Sequence, residues 1–162
     1  MRIVTNLELN DLSRKANSST RRRQHLNIHE NYSEPCQRLL NAIEPESYIR
    51  PHRHQTDPKN EMLVPINGLF AIFIFNDFGE ILDLMYLSQK GNNIKFSKIV
   101  EIPSYRWHTV IALEKESVLL EIKAGPFNPE FPKDFASWAP NESSKEAAAY
   151  LKQLFITAKN YL

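Results

Sequence analysis

The sequence has a single cysteine, Cys36, among 162 residues. That excludes an intramolecular disulfide and a cysteine-based zinc cluster, and it reads as a free, buried thiol in a reducing compartment. Net charge is nearly absent: 20 Lys and Arg stand against 19 Asp and Glu, leaving +1. A chain so balanced is not a bulk binder of nucleic acid or of a membrane surface, and the short basic run Arg21-Arg22-Arg23 does not alter that. Long apolar runs are missing too. Leu69 to Phe75 is the longest, far below the roughly 20 residues of a transmembrane helix. The first residues, MRIVTNLELND, turn polar at once and carry no signal-peptide core. The expectation is a cytoplasmic protein with no membrane and no nucleic acid among its partners. Glycine is scarce at 4, proline ordinary at 10, and no repeat or low-complexity tract occurs.

What is present is a series of strands between two helices. Thr5 to Ala16 reads as a short helix, with Thr5 and Glu8 at capping-box spacing and Leu9, Leu12 and Ala16 on one face. Arg21 to Pro35 shows no period and reads as an extended arm with a loop. From Gln37 on, short strands follow at nearly regular intervals: Gln37–Ile43, Ser47–His54, Glu61–Ile66, Leu69–Phe75, Ile81–Leu87, Ser97–Ile102, Arg106–Leu113 and Ser117–Lys123. Asn67-Gly68 is a type I′ hairpin signal, and NDFG (76–79) and KGNN (90–93) are further turns. About eight short strands without alternating helices predict an all-β sandwich or barrel. Residues 125–142, rich in proline and aromatics, read as ordered coil. A final helix over Ser144–Tyr161, with Ser143 and Glu146 as its capping box, carries an apolar stripe of Ala147, Tyr150, Leu151, Leu154, Phe155, Ala158 and Leu162. That stripe covers either this barrel or a partner, which makes a homodimer one expectation. The whole reads as one domain: helix and arm (1–36), barrel (37–124), coil and helix (125–162).

Five histidines occur, at 25, 29, 52, 54 and 108. His52 and His54 are two apart on a predicted strand, so their rings share a face while Arg53 points the other way. Two convergent imidazoles begin a divalent-metal site. Glu61 opens the next strand after a six-residue loop, and His108 lies on a later one. Together they make a candidate three-His, one-carboxylate set.

The order His52, His54, Glu61, Gly68, followed by Pro103 and His108, resembles the two cupin motifs. More narrowly, Arg21–Glu30, Gln37–His54, Val100–Glu114 and Glu121–Pro140 resemble the WbuC family of cupin-fold metalloproteins. The resemblance implies a small double-stranded β-helix (cupin or jelly-roll) barrel, mostly β, with helical additions at both ends. It also implies one divalent metal (Fe, Zn, Mn or Ni) held by His52, His54, Glu61 and His108, and a place in carbohydrate metabolism, such as surface-polysaccharide or O-antigen sugars.

Other residues are candidates around such a centre. Glu121 and Lys123 share a strand face; if it looks inward they could bind a polar substrate or move protons, and if outward they are a solvated pair. Tyr105 could serve as a phenolic acid. Arg50, Lys59 and His29 are candidate substrate contacts, His29 from an arm that could cross the barrel mouth. Two functions remain open: a metal-dependent enzyme on a small polar or sugar-derived substrate, of isomerase, epimerase or dioxygenase type, and a non-catalytic metal-dependent sugar or small-ligand binder. Inward-facing Glu121, Lys123 or tyrosine favours the first; an apolar interior beyond the metal favours the second.

Overall fold

The computed structural model describes residues 1–90 and 94–162. Helix α1 (Asn6–Ser18) starts at Thr5, whose hydroxyl accepts from the Glu8 N–H while the Glu8 carboxylate accepts from the Thr5 N–H. The capping box of the sequence is thus formed, and two orphan donors of the first turn are satisfied. Eleven strands follow among the described residues: β1 (Arg23–Asn27), β2 (Cys36–Ile43), β3 (His52–Arg53), β4 (Glu61–Asn67), β5 (Phe70–Phe75), β6 (Ile81–Leu87), β7 (Phe96–Ser97), β8 (Val100–Ile102), β9 (Trp107–Ala112), β10 (Ser117–Ala124) and β11 (Asp134–Phe135). Helix α2 (Ala147–Tyr161) closes the chain. The turn expected over 90–93 lies largely outside the described residues.

The strands form two sheets, β1-β2-β10-β4-β8 and β11-β3-β9-β5-β6-β7. Period-two alternation sorts their side chains into three layers. Ile43, Leu63, Phe70, Ile72, Leu87, Ile102, Val110, Ala112 and Leu119 fill the space between the sheets. Leu40, Ala42 and Val118 face outward from the first sheet and are covered by Leu12 and Ala16 of α1. Ala71, Phe73, Phe75, Tyr86 and Ile111 face outward from the second and are covered by Ala147, Leu151, Leu154 and Ala158 of α2. The Tyr86 hydroxyl also donates to the Ala158 carbonyl at 2.6 Å. The stripe of α2 is therefore spent on its own chain and gives no ground for a homodimer.

Three local expectations are corrected. Asn67-Gly68 does not close a hairpin: β4 pairs with β10 and β8, whereas β5 pairs with β6 and β9. The dipeptide instead carries the chain from one sheet to the other. Gly68 takes φ +85°, and a Cβ there would stand 2.1 Å from Ser117 Oγ and 2.9 Å from Ser117 Cα. Gly68→Ala is accordingly expected to cost about 2 kcal/mol or more of stability, read by denaturant unfolding, because both the left-handed backbone and the contact resist it. Second, the arm before β2 contains a paired strand, β1, with Arg23 to Asn27 in register against Ile43 to Leu39. Third, α2 begins at Ala147 with Glu146 as N-cap, and no side chain caps it.

Candidate metal centre

Three strands and one strand end bring the predicted ligands together. His52 on β3 is directly opposite His108 on β9. His54 follows β3 immediately, held by its N–H to the Ser104 carbonyl at 2.7 Å. Glu61 begins β4, opposite Lys123 of β10 and Ile102 of β8. Their ligand atoms all lie within 4.8 Å of one another, and all four residues are buried. Arg53 points away as the alternation requires, its guanidinium carbon 4.1 Å from the centroid of the Trp107 ring.

The hydrogen bonds around this cluster fit a cation at its centre. His52 Nδ1 lies 2.9 Å from the Arg50 carbonyl and His108 Nδ1 2.9 Å from the Arg106 carbonyl. A carbonyl can only accept, so each Nδ1 carries the proton and each Nε2 is left with a lone pair, as ligating histidines need. His108 Nε2 then faces Glu61 Oε2 at 3.1 Å, lone pair to lone pair. His54 Nε2 stands 2.8 Å from Glu61 Oε1 yet has no hydrogen-bond partner among the described residues, so the pair is close without hydrogen-bond alignment. Acceptors crowded in this way repel unless a cation sits among them or an imidazole is protonated. Burial, reinforced by the Lys133 charge, holds His52 well below the usual imidazole range and so in its neutral, ligating form. Burial alone would raise the Glu61 carboxyl; hydrogen bonds from His108 and His54 in their protonated form, with the Lys123 charge, overcome it and hold the carboxyl well below its ordinary range, and a cation among the lone pairs takes the place of those protons. The donor set of three imidazoles and one carboxylate suits zinc, iron, manganese or nickel. Glu61→Gln is expected to weaken metal binding by about 10-fold or more, measured by competition with a chromogenic chelator; unchanged affinity would remove Glu61 from the set.

Beside the cluster lies a cavity of about 420 Å³, within the range of small-molecule sites. Its wall is mixed. Leu39, Ile43, Ile49, Leu63, Val110 and Leu119 form an apolar side. Glu121 and Lys123 also face it, so their shared face is the interior one. Lys123 Nζ bridges Glu61 Oε1 at 2.8 Å and Glu121 Oε1 at 3.5 Å. Asn41 Nδ2 donates to Glu121 Oε2 at 2.8 Å. Burial and the nearby Glu61 charge raise the Glu121 carboxyl above its ordinary range, against the pull of Lys123 and Lys133. Burial opposes the Lys123 ammonium, but Glu61 and Glu121 prevail and raise it. His29, though distant in sequence, is buried and lines the same cavity.

Three other candidates do not line this cavity. Tyr105 is 56% exposed and does not line the cavity. It sits in the turn before β9, whose pleat aims His108 rather than Tyr105 inward. Arg50 donates to the Ala136 carbonyl through Nε (3.1 Å) and Nη2 (2.6 Å), also reaches Asn141, and lies 5.5 Å from the Phe135 ring centroid. Its guanidinium pins the C-terminal segment and does not line the cavity. Lys59, held by Asp57 and the Pro126 carbonyl, lines a minor crevice that His54 and Lys123 also line, next to the main cavity. Sequence reasoning missed Asn41 and left Lys133 without a role. Asn41 had a readable signal: a polar residue at the inward parity of a strand whose neighbours at that parity, Leu39 and Ile43, are apolar.

The comparisons with known proteins agree on the fold. The protein SO0799 of Shewanella oneidensis superposes with a TM-score of 0.55 at 10% identity, over 83% of each chain. The capsular polysaccharide assembling protein CapF of Staphylococcus aureus gives 0.54 at 20% identity, over 68% of this chain and 28% of its own. A single-substitution variant of oxalate decarboxylase from Bacillus subtilis gives 0.50 at 18%, over 69% of this chain and 27% of its own. CapF and oxalate decarboxylase are cupin-fold proteins, and the present chain has the cupin fold while spanning less than a third of either. No curated protein matches the sequence. Residues 4–87, just over half of the chain, match the profile of the family described as Domain of unknown function (DUF6016), and the chain belongs to that family.

Proposed function

We propose that this protein is a metal-dependent enzyme that moves a proton on a small, polar, sugar-derived substrate, as an isomerase or epimerase does. The observation that carries this is the inward placement of Glu121 and Lys123 beside the metal ligands, joined to Glu61 through the Lys123 ammonium. A divalent ion held by His52, His54, Glu61 and His108 supplies a Lewis acid for a substrate oxygen. The remaining work belongs to the chain. Glu121, oriented by Asn41 and Lys123, takes a proton from the carbon next to a substrate carbonyl and returns it on the same face to the neighbouring carbon. Lys123 keeps its charge between the two carboxylates and offsets the negative charge that forms. The apolar wall of Leu39, Ile43 and Leu119 limits water around the reacting carbon.

Substrate size follows from the cavity, whose volume suits a monosaccharide or smaller. The similarity of the sequence to WbuC proteins, and of the fold to a capsular polysaccharide assembling protein, supports surface-polysaccharide sugars as the substrate class. The test is hydrogen exchange. Metal-loaded protein incubated with a panel of aldoses, ketoses and uronates in D₂O is expected to incorporate deuterium at one carbon of at least one sugar, read by NMR. Glu121→Gln is expected to abolish incorporation while keeping its metal. Binding of a sugar without exchange, in wild type as in Glu121→Gln, would leave the non-catalytic binder as the better account.

A further inference from the structure

The cavity wall has donors that its own acceptors do not use. Lys123 is engaged by both carboxylates, Glu61 and Glu121. Arg23 is engaged by Glu142 at 2.5 Å and by the Tyr48 carbonyl at 2.8 Å. Lys133 is different. It lines the cavity, yet among the described residues its ammonium makes no hydrogen bond or ion pair, and its nearest recorded partner is the face of Phe135 at 5.9 Å from the centroid. It lines that cavity together with His52, Glu61 and Glu121, and its charge helps to depress the His52 imidazole.

His29 offers a second donor. Its Nδ1 lies 3.0 Å from the Arg38 N–H, which must donate, and 2.9 Å from the Arg38 carbonyl. That carbonyl already accepts from the Ile28 N–H at 2.8 Å and the His29 N–H at 3.3 Å. The Arg38 N–H therefore claims the Nδ1 lone pair, and the proton of the neutral ring falls on Nε2. This Nε2 is buried and has no partner among the described residues. Buried donors are rarely left unpaired. Around the cavity stand four cationic side chains, Arg21, Arg23, Lys123 and Lys133, against the carboxylates of Glu61 and Glu121 and of Glu142, which pairs with Arg21 and Arg23, so one positive charge is left over before any divalent ion is counted.

We infer that Lys133 and His29 form a second subsite that takes an anionic group of the substrate, a carboxylate or a phosphate, while an oxygen at the substrate's other end faces the metal cluster. This rests on the proposed function only in using the same cavity. Its test is equilibrium binding, which is independent of turnover. Glycerol, glycerate and glycerol 3-phosphate are three-carbon probes that differ in the terminal group, and their binding to the metal-loaded protein is measured by calorimetry. At least one of the two anions is expected to bind about 10-fold or more tightly than glycerol, and which one gains distinguishes carboxylate from phosphate. Lys133→Gln is expected to erase that preference at unchanged metal content, and Lys133→Arg to restore most of it. His29→Gln should reduce it. Equal binding of glycerol and both anions, absence of anion binding up to about 10 mM, or a preference that survives Lys133→Gln would each overturn the subsite. Failure of deuterium exchange with the anion preference intact would instead count against catalysis alone.

Discussion

His108→Ala is expected to lower the affinity for the bound divalent ion by at least about 100-fold, because removal of outer partners alone costs 10–100-fold and this removes a direct donor. The same holds for His52→Ala, since the two residues are opposed on adjacent strands and each presents a lone pair at Nε2 fixed by a carbonyl at Nδ1. The metal-free variants are expected to remain folded. His108 sits among polar side chains, and its loss relieves the crowding of Nε2 against Glu61. Elemental analysis after gel filtration, with circular dichroism as the check on folding, reads both halves. Full metal retention in either variant would remove that histidine from the ligand set.

Phe73→Ala is expected to destabilise the protein by about 3–5 kcal/mol. Phe73 is 0% exposed on the outer face of the second sheet, in one cluster with Leu151, Leu154 and Ala158 of α2. Truncation leaves a void between sheet and helix that neither can fill without undocking. For a chain of this length that corresponds to a fall in Tm of roughly 6–20 °C, readable by differential scanning calorimetry. The magnitude matters because α2 supplies most of the cover of that face, with Trp138 packing beside it on Phe75. A loss below about 1 kcal/mol would mean that the helix does not clamp the sheet.

Much of this was legible in the sequence, and the reasons are local. The alternation of His52, Arg53 and His54 gives the direction of both rings, because side-chain parity on a strand is fixed by the backbone alone. The same parity placed Glu121 and Lys123 on one face, but whether that face looked inward depended on β10 lying between β2 and β4, a long-range fact. Thr5 and Glu8 formed their capping box, whereas Ser143 and Glu146 at the same spacing did not. Asn67-Gly68 shows the limit most clearly. The dipeptide dictates a turn, yet the partner of each flanking strand is chosen by packing, here Ser117 against Gly68 and two different sheets beyond. β1 escaped notice because its inward residues, Arg23, His25 and Asn27, are polar cavity-liners and so mask the apolar alternation. Arg50 and Tyr105 were near the site in sequence and outside it in space, one occupied by the C-terminal segment and the other in an exposed turn.

The central claim is that three imidazoles and one carboxylate hold a single divalent ion inside the barrel. X-ray absorption spectroscopy at the metal edge, on protein purified without oxygen and quantified for metal, tests it most directly. One ion per chain is predicted, with a first shell of nitrogen and oxygen only, near 2.0–2.2 Å if the ion is zinc, and three of its scatterers showing the outer-shell pattern of imidazole. Protein that binds no divalent ion at micromolar concentration, or an ion whose first shell lacks imidazole, would contradict it.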